Sequence, residues 1–301
     1  MDAWIPITLL AALAQTARFG LQKQLKTTRL STAGATFARF IYSAPLVVLV
    51  VLIYASVTAQ PLPSIPPIFW AYALTGGATQ ILATMCVLAL FSHRNFAVGI
   101  TFKKTEVVMS ILVGLVILGE GVTPLAFGAI LIGFVGVLLL SDPPGGTGQP
   151  WRKRIMNRAA GLGLLSGVLF AMSGVGYRGA SLSLETGDVF LRAILTLACV
   201  TVSQTIAMAI YLRLRESGEI TRVASAWRIA GLVGITSMIG SGCWFIAFTM
   251  QTVAYVTALG QVELLFSLAL SVFIFREKVS PRELQGGSLL MLSILALVLA
   301  I

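Results

Sequence analysis

Long apolar stretches follow one another along almost the whole chain, and short polar or proline-rich connections separate them. A helix needs roughly 20 mainly apolar residues to cross the hydrocarbon core of a bilayer. Ten stretches approach or exceed that length, so we predict ten membrane-spanning helices and an all-α membrane protein. The predicted spans cover residues 4–24, 32–56, 66–91, 96–118, 122–140, 159–180, 187–212, 227–248, 253–275 and 282–301.

The longest polar connection lies near the middle of the chain and leaves five predicted spans on each side. It combines an Asp, several Gly and Pro residues and a basic Trp-Arg-Lys-Arg run. We therefore predict a five-helix unit over residues 1–141, a cytoplasmic linker over residues 142–157 and a second five-helix unit over residues 158–301.

Polar residues and prolines recur in the two halves at a constant register. An offset of 157 residues pairs Glu106 with Glu263, Ser110 with Ser267, Glu120 with Glu277 and Pro124 with Pro281. Such self-similarity is the sequence signature of an internal repeat. Because a five-span unit ends on the opposite side of the membrane from its start, two such units in tandem must lie inverted. Inverted repeats are the architecture of many secondary transporters, whose substrate site lies near the midplane between the halves.

The composition is that of a membrane protein. The sequence is 57% hydrophobic and 11% charged, with a mean hydropathy of +0.93, whereas about 25% of the residues of a soluble domain are charged. These values exclude a soluble enzyme and a receptor with a large ectodomain. The continuous apolar stretches exclude a membrane β-barrel, whose strands alternate apolar and polar residues.

The basic residues lie mainly on one side of the predicted membrane protein. The connections after the odd-numbered spans carry fifteen Lys and Arg residues, whereas the opposite side carries only Arg178 and Arg192. By the positive-inside rule the basic side is cytoplasmic, so we predict both termini outside the cytoplasm. The same rule explains the net charge of +10 without a nucleic-acid partner.

The motifs of an enzyme or of an ATP-driven pump are missing from the sequence. His93 is the only histidine, and the chain has no GxxxxGK[ST] loop. No Ser-His-Asp or Cys-His set can be assembled from the residues within the predicted spans. We therefore expect no enzymatic activity, no metal site and no cofactor.

Two related segments at the junctions of spans four and five and of spans nine and ten carry a resemblance to a known family. Gly119-Glu-Gly-Val-Thr-Pro124 and Arg276-Glu-Lys-Val-Ser-Pro281, each closing a five-span half, resemble the EamA-type repeats of the drug/metabolite transporter superfamily. The resemblance covers essentially the whole chain. It implies a multi-pass carrier of the inner (plasma) membrane that exports amino acids, other metabolites or toxic compounds, often driven by a proton gradient. The superfamily also includes nucleotide-sugar and organic-phosphate carriers, so the resemblance leaves the cargo open.

Five charged residues lie deep inside predicted spans: Arg18, Lys103, Lys104, Glu106 and Glu263. A charge at membrane depth costs about 2.5–3.5 kcal/mol on insertion scales, so each of them needs a partner, a water-filled cavity or a route to the interface. Helical spacing groups them with neighbouring polar residues into three stripes. The stripes consist of Gln15, Arg18 and Gln22 in span one, Lys103, Glu106 and Ser110 in span four, and Glu263 and Ser267 in span nine.

We expect these stripes and Lys104 to line one substrate cavity between the two halves. Arg18 and the lysines would bind a carboxylate or phosphate, whereas Glu263 and Glu106 would bind an ammonium group or exchange a proton. Trp244 and Tyr255 lie at a similar depth and would contact an apolar part of the cargo.

A purely structural interpretation of these residues stays open. Glu106 could simply neutralise Lys103 one turn away, whereas Glu263 has no basic residue within one turn and needs a partner elsewhere or a proton. Arg39 and Arg192, which a slightly smaller offset relates by the repeat, could reach the interface or line the cavity entrance. Glu120, Pro124 and their repeat partners are interpreted as helix caps in tight turns.

The preferred hypothesis is a proton-coupled or exchange carrier that exports small polar metabolites such as amino acids or organic anions by alternating access. One alternative is proton-driven efflux of cationic compounds, with Glu106 and Glu263 as the proton-exchanging acids. An alternative from another class is an intramembrane enzyme or a helical scaffold without transport. The expected partners are a small-molecule substrate and membrane lipids.

Overall fold

The described part of the computed structural model is helical and contains no strand. It comprises residues 3–28, 30–90, 103–141, 158–266 and 281–299. The helices in these ranges are α1 (Trp4–Thr28), α2 (Thr32–Thr58), α3 (Pro67–Leu90), α4 (Glu106–Leu118), α5 (Pro124–Ser141), α6 (Arg158–Leu182), α7 (Val189–Arg215), α8 (Glu219–Ser225), α9 (Trp227–Met250), α10 (Val253–Gly260) and α11 (Pro281–Leu299).

Six of these helices are long and apolar enough to cross a membrane, namely α1, α2, α3, α6, α7 and α9. The other apolar helices are shorter within the described ranges and coincide with predicted spans four, five, nine and ten. The prediction of a helical, multi-pass membrane protein is therefore confirmed, whereas the number of ten spans stays a prediction. The short helix α8 lies in the connection after the seventh predicted span and was not predicted.

Several helix starts follow from local sequence signals. The side chains of Ser31 and Asp188 accept hydrogen bonds from the amides three residues further on, at 2.9 and 2.8 Å, and so cap α2 and α7. Such caps satisfy amide groups that have no partner inside the helix. Three other helices start with a proline, whose missing amide hydrogen costs nothing at this position. These prolines are Pro67, Pro124 and Pro281.

The helices of the two halves pack against each other in related pairs. Helix α3 packs on α6, and α1 packs on α9. In the repeat α3 corresponds to α9 and α6 corresponds to α1, so these two pairs are equivalent. The pairs α2 with α7, α5 with α11 and α4 with α10 each join two equivalent helices. A two-fold axis between repeats produces this pattern. The inverted arrangement of the halves itself stays a prediction.

Glycines allow the closest helix crossings in this bundle. A Cβ atom on Gly176 of α6 would lie 2.9 Å from the carbonyl oxygen of Tyr72 in α3. A Cβ atom on Gly136 of α5 would lie 2.8 Å from the carbonyl oxygen of Gly286 in α11. Small residues of this kind let helix backbones approach each other where lipid offers no hydrophobic driving force.

Candidate functional site

Two helices are interrupted immediately before the repeat-related glutamates. Residues 104–105 form a turn, and α4 begins at Glu106. Residues 261–262 form a turn after α10, and helical backbone resumes at Glu263. Discontinuous helices of this kind form the substrate and ion sites of many secondary transporters.

A cavity lies beside these two interruptions and is lined by both halves of the chain. The first half contributes the polar residues Gln15, Arg18, Arg39, Gln80, Lys103 and Glu106. The second half contributes the polar residues Ser173, Tyr177, Ser241, Thr257, Gln261 and Glu263. Aromatic rings form much of the remaining wall, namely Phe170, Trp244, Phe245 and Phe248. The cavity thus combines a charged region with an aromatic one.

Both glutamates at the cavity are paired with lysines. The Lys103 ammonium lies 3.3 Å from a carboxylate oxygen of Glu106, one turn away on the chain. Lys104 forms an ion pair with Glu263, and the Gln15 amide donates to the other Glu263 oxygen at 3.0 Å. The ion pair between Lys103 and Glu106 that the purely structural interpretation requires is therefore present. The partners of Glu263 come from the other half of the chain.

Arg18 is buried and its guanidinium is bonded to a neutral group. It donates to the side-chain oxygen of Gln22 at 2.7 Å and lies over the Phe19 ring at 4.2 Å. Gln22 in turn donates to the backbone carbonyl of Ala35 at 3.0 Å. Gln22 therefore orients the arginine in the cavity wall without neutralising its charge.

Arg39 is the second buried arginine of the cavity, with 4% of its surface exposed. It donates to the hydroxyls of Ser237 and Ser241 at 3.0 Å each and to that of Thr84 at 3.4 Å. Its side chain therefore points inward and does not reach for the interface. Across the ranges that the structure describes, neither Arg18 nor Arg39 forms an ion pair.

The charges around the cavity are consequently unbalanced. With Lys104 included, the charged residues around the cavity are four cationic side chains and two carboxylates. The two lysines are matched by the two glutamates, and the two arginines provide the excess. Because charge buried at membrane depth is costly, an uncompensated pair of guanidinium groups is a typical mark of a functional site.

The remaining predicted site residues take different positions. Ser110 is buried and donates to the backbone carbonyl of Glu106 at 2.8 Å, outside the cavity lining. The Tyr255 hydroxyl accepts from the Thr123 amide at 3.1 Å and likewise lies away from the cavity. Gln22 and Lys104 do not line the cavity themselves. Gln22 contacts the lining residue Arg18, and Lys104 contacts the lining residue Glu263. Ser267 lies outside the described residues.

Sequence reasoning missed several residues of the cavity wall, chiefly Gln80, Tyr177, Phe248 and Gln261. Two buried polar atoms of this wall have no hydrogen-bond partner among the described residues, the Trp244 ring nitrogen and the Gln261 side-chain oxygen. The signal that could have revealed Gln261 is an uncharged polar side chain within an apolar span. Its position in the repeat is also informative, because the offset of 157 residues makes Gln261 the sequence counterpart of Lys104.

Glu120 does not have the helix-capping role expected from the sequence. Its two carboxylate oxygens accept from the Arg178 Nε at 2.8 and 2.7 Å. Arg178 also donates to the backbone carbonyls of Phe248 and Gln251 at 2.6 and 2.8 Å. This arginine therefore ties the connection between α4 and α5 to the ends of α6 and α9, next to the aromatic wall.

A second polar cluster holds the connection between α6 and α7. Asp188, which precedes α7, accepts from the Tyr54 hydroxyl at 2.7 Å and from the Gln60 amide at 2.9 Å. Burial acts to raise the pKa of Asp188, but the hydrogen bonds from Leu191, Tyr54 and Gln60 outweigh it and lower the pKa below its ordinary value. The cluster lies away from the cavity and is structural.

The described residues contain no group of three or more His, Cys, Asp or Glu side chains that could hold a metal ion. The charged, polar and aromatic side chains of the cavity wall offer a ligand ion pairing, hydrogen bonding and aromatic contact.

Comparison with known proteins assigns the second half of the chain to a family. Residues 157–299 match the sequence model of the EamA-like transporter family. This match supports membership of the drug/metabolite transporter superfamily, as the resemblance predicted, and members of the EamA family are transporters. Over residues 157–299, just under half of its length, the chain is therefore similar to this family of membrane transporters.

A solved structure described only as "Crystal structure of protein" is similar in fold. Its TM-score is 0.74 at 16% sequence identity, and the match covers 100% of this chain and 98% of that chain. At this level of identity the match shows the fold alone. No curated protein matches the chain significantly.

Proposed function

We propose that this protein is a secondary active transporter that exports small anionic or zwitterionic metabolites, such as organic anions or amino acids. The cavity between the two halves would bind the cargo and open alternately to the two sides of the membrane. The related helix pairs and the paired helix interruptions support this mechanism, because inverted repeats and broken helices are typical of alternating-access carriers.

The observation that carries the proposal is the excess positive charge of the cavity. Arg18 and Arg39 are bonded to neutral side chains, whereas both glutamates already have lysine partners. A planar guanidinium group is suited to bind carboxylate or phosphate through two parallel hydrogen bonds. An anionic group on the cargo would therefore provide the missing counter-charge.

Glu263 and Glu106 are the proposed proton-coupling residues. A proton on Glu263 would remove the charge opposite Lys104 and make the cavity more positive. Proton binding and anion binding would then favour each other through this ion pair, because linkage between two sites is reciprocal. On this basis Glu263→Gln reduces the effect of pH on anion binding, measured by titration calorimetry of the purified protein at two pH values.

The direct test is a thermal-stability screen of the purified protein with amino acids, monocarboxylates and tetraethylammonium. We expect carboxylates to raise the melting temperature and tetraethylammonium to leave it unchanged. Arg39→Leu and Arg18→Leu should each weaken the binding of carboxylates by about tenfold or more, because each removes a buried charged partner.

Arg215→Leu is the matched control, because Arg215 is an exposed arginine at the end of α7, away from the cavity. This variant should respond to carboxylates as the wild type does. A carboxylate response that survives unchanged in both cavity variants would contradict the proposed site.

The two alternative functions predict different results. Efflux of cationic compounds would require a free carboxylate in the cavity and predicts stabilisation by tetraethylammonium. Neutralisation of both glutamates by lysines argues against it. An intramembrane enzyme or a scaffold predicts no exchange of any solute across a membrane that contains the protein.

A further inference from the structure

Gln261 presents an unused hydrogen-bond acceptor at the cavity. Its side chain is 7% exposed, and its amide nitrogen donates to the backbone carbonyl of Thr257 at 3.1 Å. That contact uses the nitrogen end of the amide. The oxygen end has no hydrogen-bond partner within the described residues. Gln261 itself belongs to the cavity wall, beside the interruption after α10.

An acceptor of this kind is uncommon in a folded protein. Most buried polar atoms have a partner, because a buried acceptor without one loses the hydrogen bonds that water would provide. The turn at residues 261–262 fixes the backbone of this residue beside Glu263. The unpaired oxygen therefore stands at a defined position in the site.

The two halves of the repeat carry different side chains at this position. Gln261 is the counterpart of Lys104, which forms an ion pair with Glu263 across the halves. At the equivalent place Gln261 supplies a neutral oxygen where the first half has an ammonium group. The site is therefore asymmetric, with cations and an unpaired acceptor around the same cavity.

We infer that Gln261 determines specificity by accepting a hydrogen bond from the cargo, so that the preferred cargo carries a donor in addition to its anionic group. This inference rests on the proposed function, because it assumes that an anion binds in this cavity. The donor is a hydroxyl or an amine, and the anion is held by the arginines. Glu106 and Glu263 are already engaged by lysines, whereas the Gln261 oxygen has no hydrogen-bond partner among the described residues.

The test compares three carboxylates with one carbon skeleton that differ only at carbon 2: 4-methylpentanoate, 2-hydroxy-4-methylpentanoate and leucine. Their dissociation constants are measured by titration calorimetry with the full-length purified protein. We expect the wild type to bind the hydroxy or the amino acid about tenfold more tightly than 4-methylpentanoate, which has no donor. In Gln261→Leu this preference should fall to about twofold or less.

Two further variants make the comparison independent of a general loss of affinity. Gln80→Leu is the matched control, because Gln80 also lies in the wall but its side-chain oxygen already accepts from Gln204 at 2.9 Å. It should retain the preference for a donor even if all three affinities change together. Gln261→Glu keeps an acceptor at the same place and should retain the preference for leucine, which also covers the case that Gln261→Leu fails to fold.

The outcomes separate this inference from the proposed function. Equal binding of the three carboxylates by the wild type, or a preference that persists in Gln261→Leu, would overturn the role of Gln261 and leave an anion carrier intact. Binding of none of the three would overturn the proposed function and this inference with it.

Discussion

The charged side chains of the cavity differ in how they are compensated, and this difference organises the site. Lys103 and Glu106 form a local pair that the one-turn spacing already indicated. Glu263 is satisfied by Lys104 and Gln15, both distant in sequence. Arg18 and Arg39 have neutral amides and hydroxyls as their protein partners, so their charge is the one that the proposed anionic cargo would compensate.

Trp244 offers a further test at the scale of one residue. Its ring nitrogen is buried and has no partner in the part of the chain that the structure describes, and its ring stacks on Phe248 with centroids 5.6 Å apart. Trp244→Phe keeps an aromatic ring but removes the donor together with the five-membered ring that carries it. We expect about three- to tenfold weaker binding of the carboxylate that stabilises the wild type, with the melting temperature of the free protein nearly unchanged.

Titration calorimetry of the wild type and the variant measures this change. Phe248→Leu is the comparison variant, because it removes a ring from the wall and no hydrogen-bond donor. Unchanged affinity in Trp244→Phe would show that the indole nitrogen does not contact the ligand.

The sequence revealed the charged residues of the site better than its neutral ones. Charges within apolar spans are rare enough to be recognised, and Arg18, Lys103, Glu106 and Glu263 all lie at the cavity. Gln261 carried no comparable signal, because an uncharged amide is tolerated in many packed helices. The partner of Glu263 could not be predicted either, because it depends on how two distant helices approach each other.

At the scale of the helices, apolar length was enough to locate the main elements. The bounds of α3 and α9 differ from the predicted spans by one or two residues. The interruptions at residues 104–105 and 261–262 were not predicted, because apolar residues continue on both sides of each turn. Helix α4 packs against α10 next to these turns, and Gly260 directly precedes the second of them.

The start of α7 provides a test at this scale. Asp188→Ala removes the cap and the contacts to Tyr54 and Gln60. Replacement of a good cap by Ala costs about 0.5–2 kcal/mol, so we expect a lower melting temperature at pH 7.

The pH dependence of this effect has a definite sign. The pKa of Asp188 is lower in the folded protein than its ordinary value, because its hydrogen bonds favour the carboxylate. Its stabilisation is therefore present at neutral pH and is lost as the pH falls through the lowered pKa. The difference between the melting temperatures of the two proteins should stay nearly constant down to about pH 4 and shrink below it. A difference that stays unchanged well below about pH 4 would contradict this account of the cap.

At the scale of the whole molecule, the two halves are joined by equivalent helix pairs around one cavity. The five-plus-five division and the repeat register came from the sequence alone, and the packing of α3 on α6 and of α1 on α9 agrees with a two-fold relation. The sequence could not specify which helices meet, because helices of similar hydrophobicity can pack in several orders. Close contacts at Gly136 and Gly176 select among those orders.

The proposed orientation can be tested by labelling single cysteines in intact cells. In a variant whose three native cysteines are replaced, a cysteine at Ser217 should be protected from a membrane-impermeant maleimide, because the basic connection between α7 and α9 is assigned to the cytoplasm. A cysteine at Ser64, between α2 and α3, should react. The reverse pattern would place the termini in the cytoplasm and leave the internal architecture unaffected.

The central claim is that the protein moves an anion across the membrane by binding it at Arg18 and Arg39. The most direct measurement is counterflow in proteoliposomes that are loaded with unlabelled leucine and 4-methylpentanoate and receive trace amounts of the radiolabelled compounds outside. We predict transient accumulation of at least one label by the wild type and by Arg215→Leu, and its loss in Arg39→Leu. Wild-type proteoliposomes that accumulate neither label, or Arg39→Leu proteoliposomes that accumulate as much as the wild type, would contradict the claim.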